Sequence, residues 1–466
     1  MQDFHVLVIG GGPGGYESAI RLAQYGISCA VIEKQRLGGI CLNWGCIPTK
    51  TLVKSAELVR EIRESEVFGL PKIEMTPEYG KIWQRKNQIV EQLVGGIEYL
   101  FRKRKIPVIS AAAMKISKTE DGYLVQCSDE SSYTAKYIIV ATGSGAKSLP
   151  GIKIDEEHIL SSTGILAMDS LPESLAVVGG GVIGCEFASI FAAFGVKVSI
   201  IEFLPRLIAL EDEEISKRLA LALKKSGIKI HLNTAVNEIN QIDGMMKLSL
   251  SNEGEIFAEK VLLSVGRAPA FGIDCEGFEI KTDRSAIVID DKMRSSAKGI
   301  WAIGDVTGKM QLAHTASKQG LLAVEDIAAL MGKRPEPKHS LNYPNIPRCT
   351  FTNPEIGSVG LTEAEAKEKY GEIVVGKFPF SANGKAMSMS ATQGFVKSIA
   401  RKDNGQLVGM HIMGPNAAEL IAQGAIMIST KMTAESIEDI VFAHPTLSEA
   451  IMESAEDLRD LSIHKI

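Results

Sequence analysis

The sequence has no long hydrophobic run and no dominant charge. None of its segments approaches the roughly 18 consecutive apolar residues that a membrane-spanning helix needs, and the most apolar late stretch, 420–428, is interrupted by Gln423 and Gly424. The formal net charge of -5 over 466 residues offers no overall basic surface for nucleic acid. We therefore expect a soluble chain that binds neither a membrane nor nucleic acid.

Cysteines are few and scattered. There are seven, an odd number that suits a reducing compartment better than a framework of disulfides. Residues 1–10 lack a basic segment and lead directly into a glycine loop, so we expect no signal peptide. The expected location is the cytoplasm, or an organelle matrix if a transit peptide has been removed.

Glycine, in contrast, is concentrated in two loops. The first, residues 10–15, follows the apolar segment 4–9 and precedes a segment with helical spacing. Its Gly-x-Gly-x-x-Gly pattern lets a pyrophosphate approach the backbone at a helix N-terminus, and an acid at the end of the next strand accepts from ribose hydroxyls. The predicted residues of this dinucleotide site are Gly10, Gly12, Gly14, Gly15 and Glu33.

The second glycine loop, residues 179–184, repeats this pattern, with Glu202 at the matching distance. An acid in that place accepts from a free ribose 2′-hydroxyl and repels a 2′-phosphate, which favours NAD over NADP. The two copies predict two nucleotide-binding domains and not one large sheet. The residues predicted for the second site are Gly179, Gly181, Val182, Ile183, Gly184, Glu202, Val236 and Gly266.

The remaining segments predict an α/β protein with two Rossmann-like nucleotide-binding domains, a central domain and a C-terminal α+β domain. A long polar helical region is expected over about 50–104 and a small antiparallel meander over about 106–135. The proline-rich stretch that begins at residue 333 predicts a linker. The expected domain boundaries are 1–149, 150–272, 273–340 and 341–466.

Two cysteines, Cys41 and Cys46, lie just after the first glycine loop. They could be buried structural thiols, a metal pair or a redox disulfide. No second Cys/His pair lies nearby in the sequence to complete a metal site, so we expect no metal. Residues five apart in a regular helix have α-carbons roughly 8 to 9 Å apart, beyond the roughly 7 Å limit for a disulfide. A bond between them would therefore need a distorted turn, for which Gly45 has the backbone freedom, with Pro48 in the first turn of the helix that follows.

Three further polar groups are candidates. His444 and Glu449 lie five residues apart around a helix start, where Thr446 and Glu449 could simply form a capping box. A thiol enzyme also needs a base that works near neutral pH, so a His–Glu pair remains the alternative. Lys50 could place an ammonium near a cofactor. Asp305 ends an apolar strand, and the helix beginning near Ala313 would direct its positive end at an electron-rich ring.

Taken in order, these segments resemble the pyridine nucleotide disulfide oxidoreductases over essentially the whole chain. Six elements carry the resemblance: the first loop with Glu33, GGICLNWGCIPTK at 38–50, ATG at 141–143, the second loop with Glu186 and Glu202, AIGD at 302–305, and HPTLSE at 444–449.

The resemblance implies FAD on the first domain, NAD on the second and a C-terminal dimerisation domain. It implies that Cys41 meets the substrate, that Cys46 faces the flavin, and that His444 with Glu449 acts as a base from the second subunit of a homodimer. It also implies a Lys50–Glu186 pair beside the flavin. The implied FAD-binding residues are those of the first loop with Gly39, Lys50, Thr142, Gly143, Asp305 and Ala313.

The activity implied is oxidation of protein-bound dihydrolipoamide with reduction of NAD, in a 2-oxo acid dehydrogenase complex whose acyltransferase core or lipoyl domain would be the partner. Two alternatives stay open. One is an NADP-dependent glutathione-type disulfide reductase, which should carry basic residues near Glu202. The other is a non-catalytic flavoprotein subunit.

Overall fold

The computed structural model describes residues 2–338 and 340–465, which form two compact units. The first unit comprises Met1–Thr51, Lys81–Lys147 and Gly266–Leu341. The second comprises Leu52–Gly80, Ser148–Val265 and Asn342–Ile466. The four domain boundaries expected from the sequence stay predictions.

The secondary structure mixes short strands with helices throughout. The strands are β1 Gln2–Ile9, β2 Cys29–Ile32, β3 Val108–Ile109, β4 Ala113–Lys118, β5 Tyr123–Cys127, β6 Ser132–Val140, β7 Ser144–Ala146, β8 Ile159–Leu160, β9 Ser174–Val178, β10 Lys197–Ile201, β11 Lys229–His231, β12 Val236–Ile242, β13 Met245–Leu250, β14 Glu255–Ala258, β15 Lys260–Leu263, β16 Arg267–Pro269, β17 Asp274–Glu276, β18 Thr282–Asp283, β19 Ala286–Ile287, β20 Ile300–Ala302, β21 Arg348–Thr350, β22 Glu355–Gly360, β23 Ile373–Pro379, β24 Phe395–Arg401 and β25 Leu407–Gly414. The helices are α1 Pro13–Gln24, α2 Gly39–Trp44, α3 Cys46–Arg63, α4 Tyr79–Arg104, α5 Ser162–Ala167, α6 Val182–Ala193, α7 Glu213–Lys225, α8 Ala313–Leu330, α9 Glu363–Tyr370, α10 Gly384–Ser388, α11 Ala417–Ser429, α12 Ala434–Glu438 and α13 Glu449–Glu456.

The first unit is built on a mixed sheet in the order β17-β4-β5-β6-β1-β2-β3, with β20 also pairing with β6. Strand β1 is parallel to both β2 and β6, so its apolar residues 6–9 are buried by neighbours on either side. Strands β4, β5 and β6 form the expected antiparallel meander. The parallel centre of the sheet brings the ends of β1, β2 and β6 to one edge, where nucleotides bind in sheets of this kind.

The polar region expected to be helical over about 50–104 contains two helices and an interruption. After α3 the chain makes a short 3₁₀ turn at Ser65–Phe68, and α4 starts only at Tyr79. Gly69 has a φ of 76°, and Pro71 and Pro77 follow it. Both prolines disfavour a continuous helix because they lack an N–H and restrict the residue before them.

The second unit contains a parallel sheet in the order β11-β10-β9-β15-β8 and a small antiparallel sheet of β12, β13 and β14. Its C-terminal part is a five-stranded antiparallel sheet in the order β21-β22-β25-β24-β23. Strand β25 is buried along its whole length, and α11 packs close to β22, where a Cβ on Gly357 would lie 2.4 Å from the Ala417 carbonyl oxygen. This region is the α+β fold expected for residues 341–466.

No helix among the described residues combines the length and the apolar character needed to cross a membrane.

Candidate active site

The first glycine loop is shaped by close backbone contacts. Gly10 has a φ of 107°, and a Cβ on Gly15 would lie 1.9 Å from the Gly10 carbonyl oxygen. Gly12 is the N-cap of α1, has an extended backbone, and makes no side-chain capping hydrogen bond. The first turn of α1 therefore keeps its N–H groups available for an anion such as a pyrophosphate.

Glu33 is oriented by the same loop. Its Oε2 accepts from the N–H of Gly11 at 2.7 Å, and its Oε1 accepts from the N–H of Gln35 at 2.8 Å. A cavity of about 390 Å³ lies beside it, within the size range of small-molecule sites. The cavity offers both apolar walls and polar groups, as an adenosine requires, and its lining includes Glu33, Gln35, Arg36, Leu37, Phe101, Val108 and Ser110.

Two buried hydroxyls in the first unit also fit a bound polar group. Among the described residues, Thr142 Oγ1 and Thr315 Oγ1 are buried and have no hydrogen-bond partner. Thr142 follows β6, and Thr315 lies in the first turn of α8, whose N-cap Leu312 makes no side-chain capping bond. Because an unsatisfied buried hydroxyl is costly, these atoms indicate a place for a ligand. Sequence reasoning missed Thr315, for which no motif gave a signal.

Asp305 does not end β20 as expected but lies in the 3₁₀ turn Gly304–Thr307 that follows it, where two residues that sequence reasoning also missed hold it. Its Oδ2 accepts from the Ser144 hydroxyl at 2.5 Å and lies 3.9 Å from Arg267 Nε. Arg267 in turn donates to the Ser144 hydroxyl at 2.8 Å and to its carbonyl at 2.7 Å. Burial lowers the pKa of Arg267, and the nearby Asp305 carboxylate opposes this shift. The network fixes Asp305 while leaving its carboxylate partly exposed.

Cys41 and Cys46 form a disulfide, with their α-carbons 4.7 Å apart. Helix α2 ends at Trp44, Gly45 has φ −149° and ψ −111°, and α3 begins at Cys46. A Cβ on Gly45 would lie 3.0 Å from the Ile40 carbonyl oxygen, so the break needs glycine. The expected distorted turn is confirmed, and it is the reason that residues five apart can bond.

The cysteine segment rests on the first glycine loop. Gly39 has a φ of 55°, and a Cβ there would lie 2.7 Å from the Gly12 α-carbon. The buried Asn43 ties α2 to the preceding turn by donating to the carbonyls of Leu37 at 3.0 Å and Gly39 at 2.9 Å. The structure thus brings the disulfide segment and the first loop together.

Four of the other cysteines, Cys29, Cys127, Cys185 and Cys275, are free thiols. Cys29, Cys127 and Cys185 are buried, and Cys275 and Cys349 are half-buried. Burial raises the pKa of Cys29 to about 12, so this thiol is unreactive near neutral pH.

The second glycine loop repeats the geometry of the first. Glu202 Oε2 accepts from the N–H of Gly180 at 2.5 Å, and its Oε1 accepts from the N–H of Leu204 at 2.7 Å. A Cβ on Gly184 would lie 2.0 Å from the Gly179 carbonyl oxygen. Gly181 is the N-cap of α6 without a side-chain capping bond, and a Cβ on it would meet nothing within 4 Å. This loop therefore offers an open anion-binding helix N-terminus.

The other residues predicted for nucleotide binding lie in both units. Val182 and Ile183 begin α6, and Val236 begins β12 in the second unit. Gly266 has a φ of 111° and belongs to the first unit, where its carbonyl accepts from the N–H of Lys147 at 3.0 Å. Their contacts with a nucleotide stay predictions.

His444 and Glu449 form a pair in the second unit. The ring Nδ1 lies 2.8 Å from Glu449 Oε1, and Glu449 Oε2 accepts from the N–H of Thr446 at 2.8 Å. His444 is 78% exposed and Glu449 is 20% exposed. Partial burial raises the pKa of Glu449, but the hydrogen bonds from Thr446 and His444 outweigh it and hold this pKa below its ordinary value.

The alternative capping box at Thr446 is wrong. The N-cap of α13 is Ser448, and the Thr446 hydroxyl donates to the Ala443 carbonyl at 2.7 Å instead of capping the helix. Glu449 nevertheless receives the Thr446 N–H, so one carboxylate both orders the turn and faces the imidazole. With Nδ1 turned to Glu449, Nε2 is left as the ring atom that can exchange a proton with a ligand.

Lys50 lies in α3 in the first unit, and Glu186 is buried in α6 in the second, where it accepts from the N–H of Phe351 at 2.9 Å. The pairing of Lys50 with Glu186 stays a prediction.

Comparison with known proteins agrees with this geometry. A family model described as pyridine nucleotide-disulphide oxidoreductase matches residues 4–320, and the dimerisation domain of the same family matches 346–455. Dihydrolipoyl dehydrogenase from Zymomonas mobilis is 39% identical over 460 residues, covering 97% of each chain, and that from Corynebacterium glutamicum is 40% identical over 473 residues, covering 98% of each. The solved structure of LpdA from Mycobacterium tuberculosis has a TM-score of 0.88 at 24% identity and covers 98% of this chain and 100% of its own.

The chain therefore belongs to the pyridine nucleotide-disulphide oxidoreductases. It is an oxidoreductase of the α/β fold class, with a disulfide redox centre and the family's C-terminal dimerisation domain. Its cofactors are FAD and NAD, and both glycine loops fit a dinucleotide. The expectations for family, fold class and cofactors are thereby confirmed.

Proposed function

We propose that the protein oxidises dihydrolipoamide to lipoamide and reduces NAD to NADH, with Cys41 and Cys46 as the redox pair. The observation that carries this proposal is the Cys41–Cys46 disulfide held against the first glycine loop by the close approach of Gly39 to Gly12. Relatives that share 39% and 40% of the sequence over nearly the full length are named dihydrolipoyl dehydrogenase.

The chemistry is thiol–disulfide exchange followed by electron transfer. His444 removes a proton from a substrate thiol, and the resulting thiolate attacks Cys41, breaking the bond to Cys46 and releasing the Cys46 thiolate. The second substrate thiol then attacks the sulfur bonded to Cys41, which closes the lipoamide disulfide and leaves Cys41 reduced. The substrate has lost two electrons, and the cysteine pair holds them. When bound, FAD would supply a two-electron carrier between the reduced cysteine pair and NAD, which would receive the electrons as a hydride.

Each proposed residue has a role that suits its position. Glu449 orients the His444 ring, as the 2.8 Å contact indicates. His444 acts from the second copy of the chain in a homodimer, which requires the dimerisation domain to assemble the site. Lys50, which the resemblance pairs with Glu186, would place a positive charge near the flavin, and α8, which begins at Ala313, would present its N-terminus to the flavin ring.

The remaining groups hold the cofactors. Glu33 and Glu202 bind the adenosine riboses of FAD and NAD, Asp305 binds the ribityl chain, and Thr142 and Gly143 line the FAD site with Gly39 and the first loop. The second loop holds the NAD pyrophosphate.

Two other functions are less well supported. A glutathione-type reductase would use NADPH, but Glu202 presents a carboxylate where the 2′-phosphate would lie, and Phe203 and Leu204 follow it. A non-catalytic flavoprotein subunit would have no need for a His–Glu pair or for a helix break that lets a disulfide form.

The proposed partners are a second copy of the chain and the lipoyl domain or acyltransferase core of a 2-oxo acid dehydrogenase complex. The proposed location is the cytoplasm, because the relatives reported above are bacterial and four cysteines, Cys29, Cys127, Cys185 and Cys275, are free thiols.

A side-by-side rate measurement tests the proposal. Dihydrolipoamide with NAD is compared with glutathione disulfide and NADPH, using the same FAD-loaded protein. We expect the first pair to be turned over at least about a hundredfold faster in kcat/KM, a difference of about 2.7 kcal/mol in transition-state stabilisation. Faster turnover of the second pair would overturn the assignment.

A further inference from the structure

A buried lysine in the C-terminal sheet binds two carboxylates from outside that sheet. Lys397, on β24, has a side chain that is 2% exposed, and its Nζ lies 2.9 Å from both Asp212 Oδ1 and Glu363 Oε2. Burial raises the pKa of Asp212, but the hydrogen bond and charge of Lys397, the nearby His411 and the N–H of Glu363 together outweigh burial and hold this pKa below its ordinary value. A buried charge is tolerated only when it is paired in this way, so removing the ammonium leaves Asp212 without its lysine partner, whereas Glu363 keeps Lys367 at 2.6 Å.

Glu211 is the last residue of a loop that follows Glu202, and Asp212 comes directly after it. Glu211 is also buried, and its Oε1 accepts from Arg348 Nε at 2.9 Å. Arg348 lies on β21, so two cations from the same C-terminal sheet hold the end of this loop. The loop, residues 203–211, contains neither strand nor helix.

This loop lies directly on the second glycine loop. The N–H of Ile208 donates to the Gly180 carbonyl at 2.8 Å, and a Cβ on Gly180 would lie 2.4 Å from a Leu207 methyl carbon. Arg206 braces the loop from within by donating to the carbonyls of Ala209 at 2.7 Å and Glu211 at 3.1 Å. A shift at the Asp212 end is therefore passed to Gly180 and to Glu202, which accepts from the Gly180 N–H.

We propose that Lys397 is a positioning residue for NAD: by fixing Glu363 and Asp212 it holds loop 203–211 over the second glycine loop and keeps Glu202 in place for the ribose. Lys397 does not touch the nucleotide and acts only through Asp212 and the loop. This inference rests on the proposed function for the role of NAD. The affinity of the protein for NADH is thus set in part by a strand of the dimerisation domain.

The test compares Lys397→Met with Lys402→Met in the FAD-loaded dimer. Lys402 lies just after the same strand and pairs with Glu372 at 3.0 Å, but both side chains are exposed. Its removal therefore controls for the loss of a lysine that is not buried. We expect Lys397→Met to weaken equilibrium NADH binding, measured by fluorescence titration, by about tenfold. FAD content and the KM for dihydrolipoamide should match the Lys402→Met control, and hydrogen exchange should quicken in residues 203–211.

A second variant decides the matter if Lys397→Met does not fold. Glu211→Gln leaves Arg348, which is 21% exposed and can be solvated, so no charge is left buried. It should weaken NADH binding by about threefold. Wild-type NADH affinity in a folded, FAD-loaded Lys397→Met, or in Glu211→Gln if the first variant does not fold, overturns the inference. Because NADH binding is measured without a dithiol, failure of the proposed dithiol substrate would appear separately.

Discussion

The two glycine loops have nearly the same local geometry and differ in what covers them. The N–H of Gly11 donates to Glu33 at 2.7 Å, and that of Gly180 donates to Glu202 at 2.5 Å. In both loops the helix that follows is capped by a glycine with no side-chain bond. The same sequence pattern thus gives the same arrangement of an acid, a turn and a helix N-terminus.

The cover is what distinguishes them. In the first loop, Gly39 of the disulfide segment comes so close that a Cβ added to it would lie 2.7 Å from the Gly12 α-carbon. In the second, loop 203–211 packs on Gly180, but a Cβ on Gly181, the counterpart of Gly12, would meet nothing within 4 Å. A helix N-terminus that is covered suits a cofactor that stays bound through turnover, and one that is open suits a cofactor that binds and leaves. The difference supports the proposed placement of FAD on the first loop and of exchanging NAD on the second.

The strongest test of this comparison replaces equivalent glycines. A Cβ on Gly15 would lie 1.9 Å from a backbone oxygen, and one on Gly184 would lie 2.0 Å from another. We expect Gly15→Val to lose FAD and all activity, and Gly184→Val to keep FAD but lose NADH binding. Visible flavin absorbance after gel filtration and NADH titration measure the two effects. Loss of the same cofactor in both variants would contradict the assignment of the loops.

Loss of the base should leave both loops intact. We expect His444→Gln to bind FAD and NADH normally and to oxidise dihydrolipoamide about 10² to 10⁴ times more slowly. His158→Gln is the control, because His158 also lies near a carboxylate, Glu157, at 3.7 Å. Steady-state rates with saturating NAD measure the effect, and unchanged turnover in His444→Gln would remove this residue from the mechanism.

The Glu449 carboxylate should stay ionised, and keep its hydrogen bonds, in mildly acidic solution. Because the pKa of Glu449 in the folded protein is held below the ordinary value of 4.5, the contribution of this carboxylate to folding stability is fully present above pH 4.5. It is lost only as the pH falls through the lower pKa of the folded state.

The cover itself is tested by a pair of alanine variants. Gly39→Ala must place a side chain at a φ of 55° and against Gly12, which costs about 1–3 kcal/mol of strain. We therefore expect FAD binding to be roughly tenfold to hundredfold weaker in this variant. Gly181→Ala has a φ of −71° and open space, so the fold and the bound FAD should be unaffected. FAD dissociation constants of the two proteins give the comparison. Equal FAD affinities would show that the disulfide segment does not retain the flavin.

Glu33 and Glu202 should also act on different cofactors. We expect Glu202→Gln to lower the preference for NAD over NADP by about tenfold, since one charged acceptor for the ribose is lost. Glu33→Gln should leave that preference unchanged and loosen FAD instead. Ratios of kcat/KM for the two nicotinamide cofactors measure the first effect. A fall in both variants would mean that the acids do not act separately.

Much of this arrangement could be predicted because it is written in short, contiguous motifs. The two loops, the Gly45 break between Cys41 and Cys46, and the His444–Glu449 pair all depend on residues close together in the sequence. The interruption between α3 and α4 was missed, although Pro71 and Pro77 mark it, because the polar composition on either side favours helix.

Other features could not be predicted because they join distant residues. Lys397 and Asp212 are 185 positions apart, and Arg267 and Ser144 are 123 apart. No periodicity or spacing links such pairs, which depend on how strands and loops pack. The buried Thr315 is another case, since only the fold removes its hydroxyl from water.

Electrons from the dithiol are expected to reach NAD through the Cys41–Cys46 pair. The most direct measurement treats the FAD-loaded protein with dihydrolipoamide without air, removes the excess dithiol and then adds NAD. The wild-type protein and the control Cys275→Ser should form NADH equal in amount to the disulfide, whereas Cys41→Ser and Cys46→Ser should bind FAD and NADH yet form essentially none. Wild-type NADH formation by either of these two variants would contradict the account.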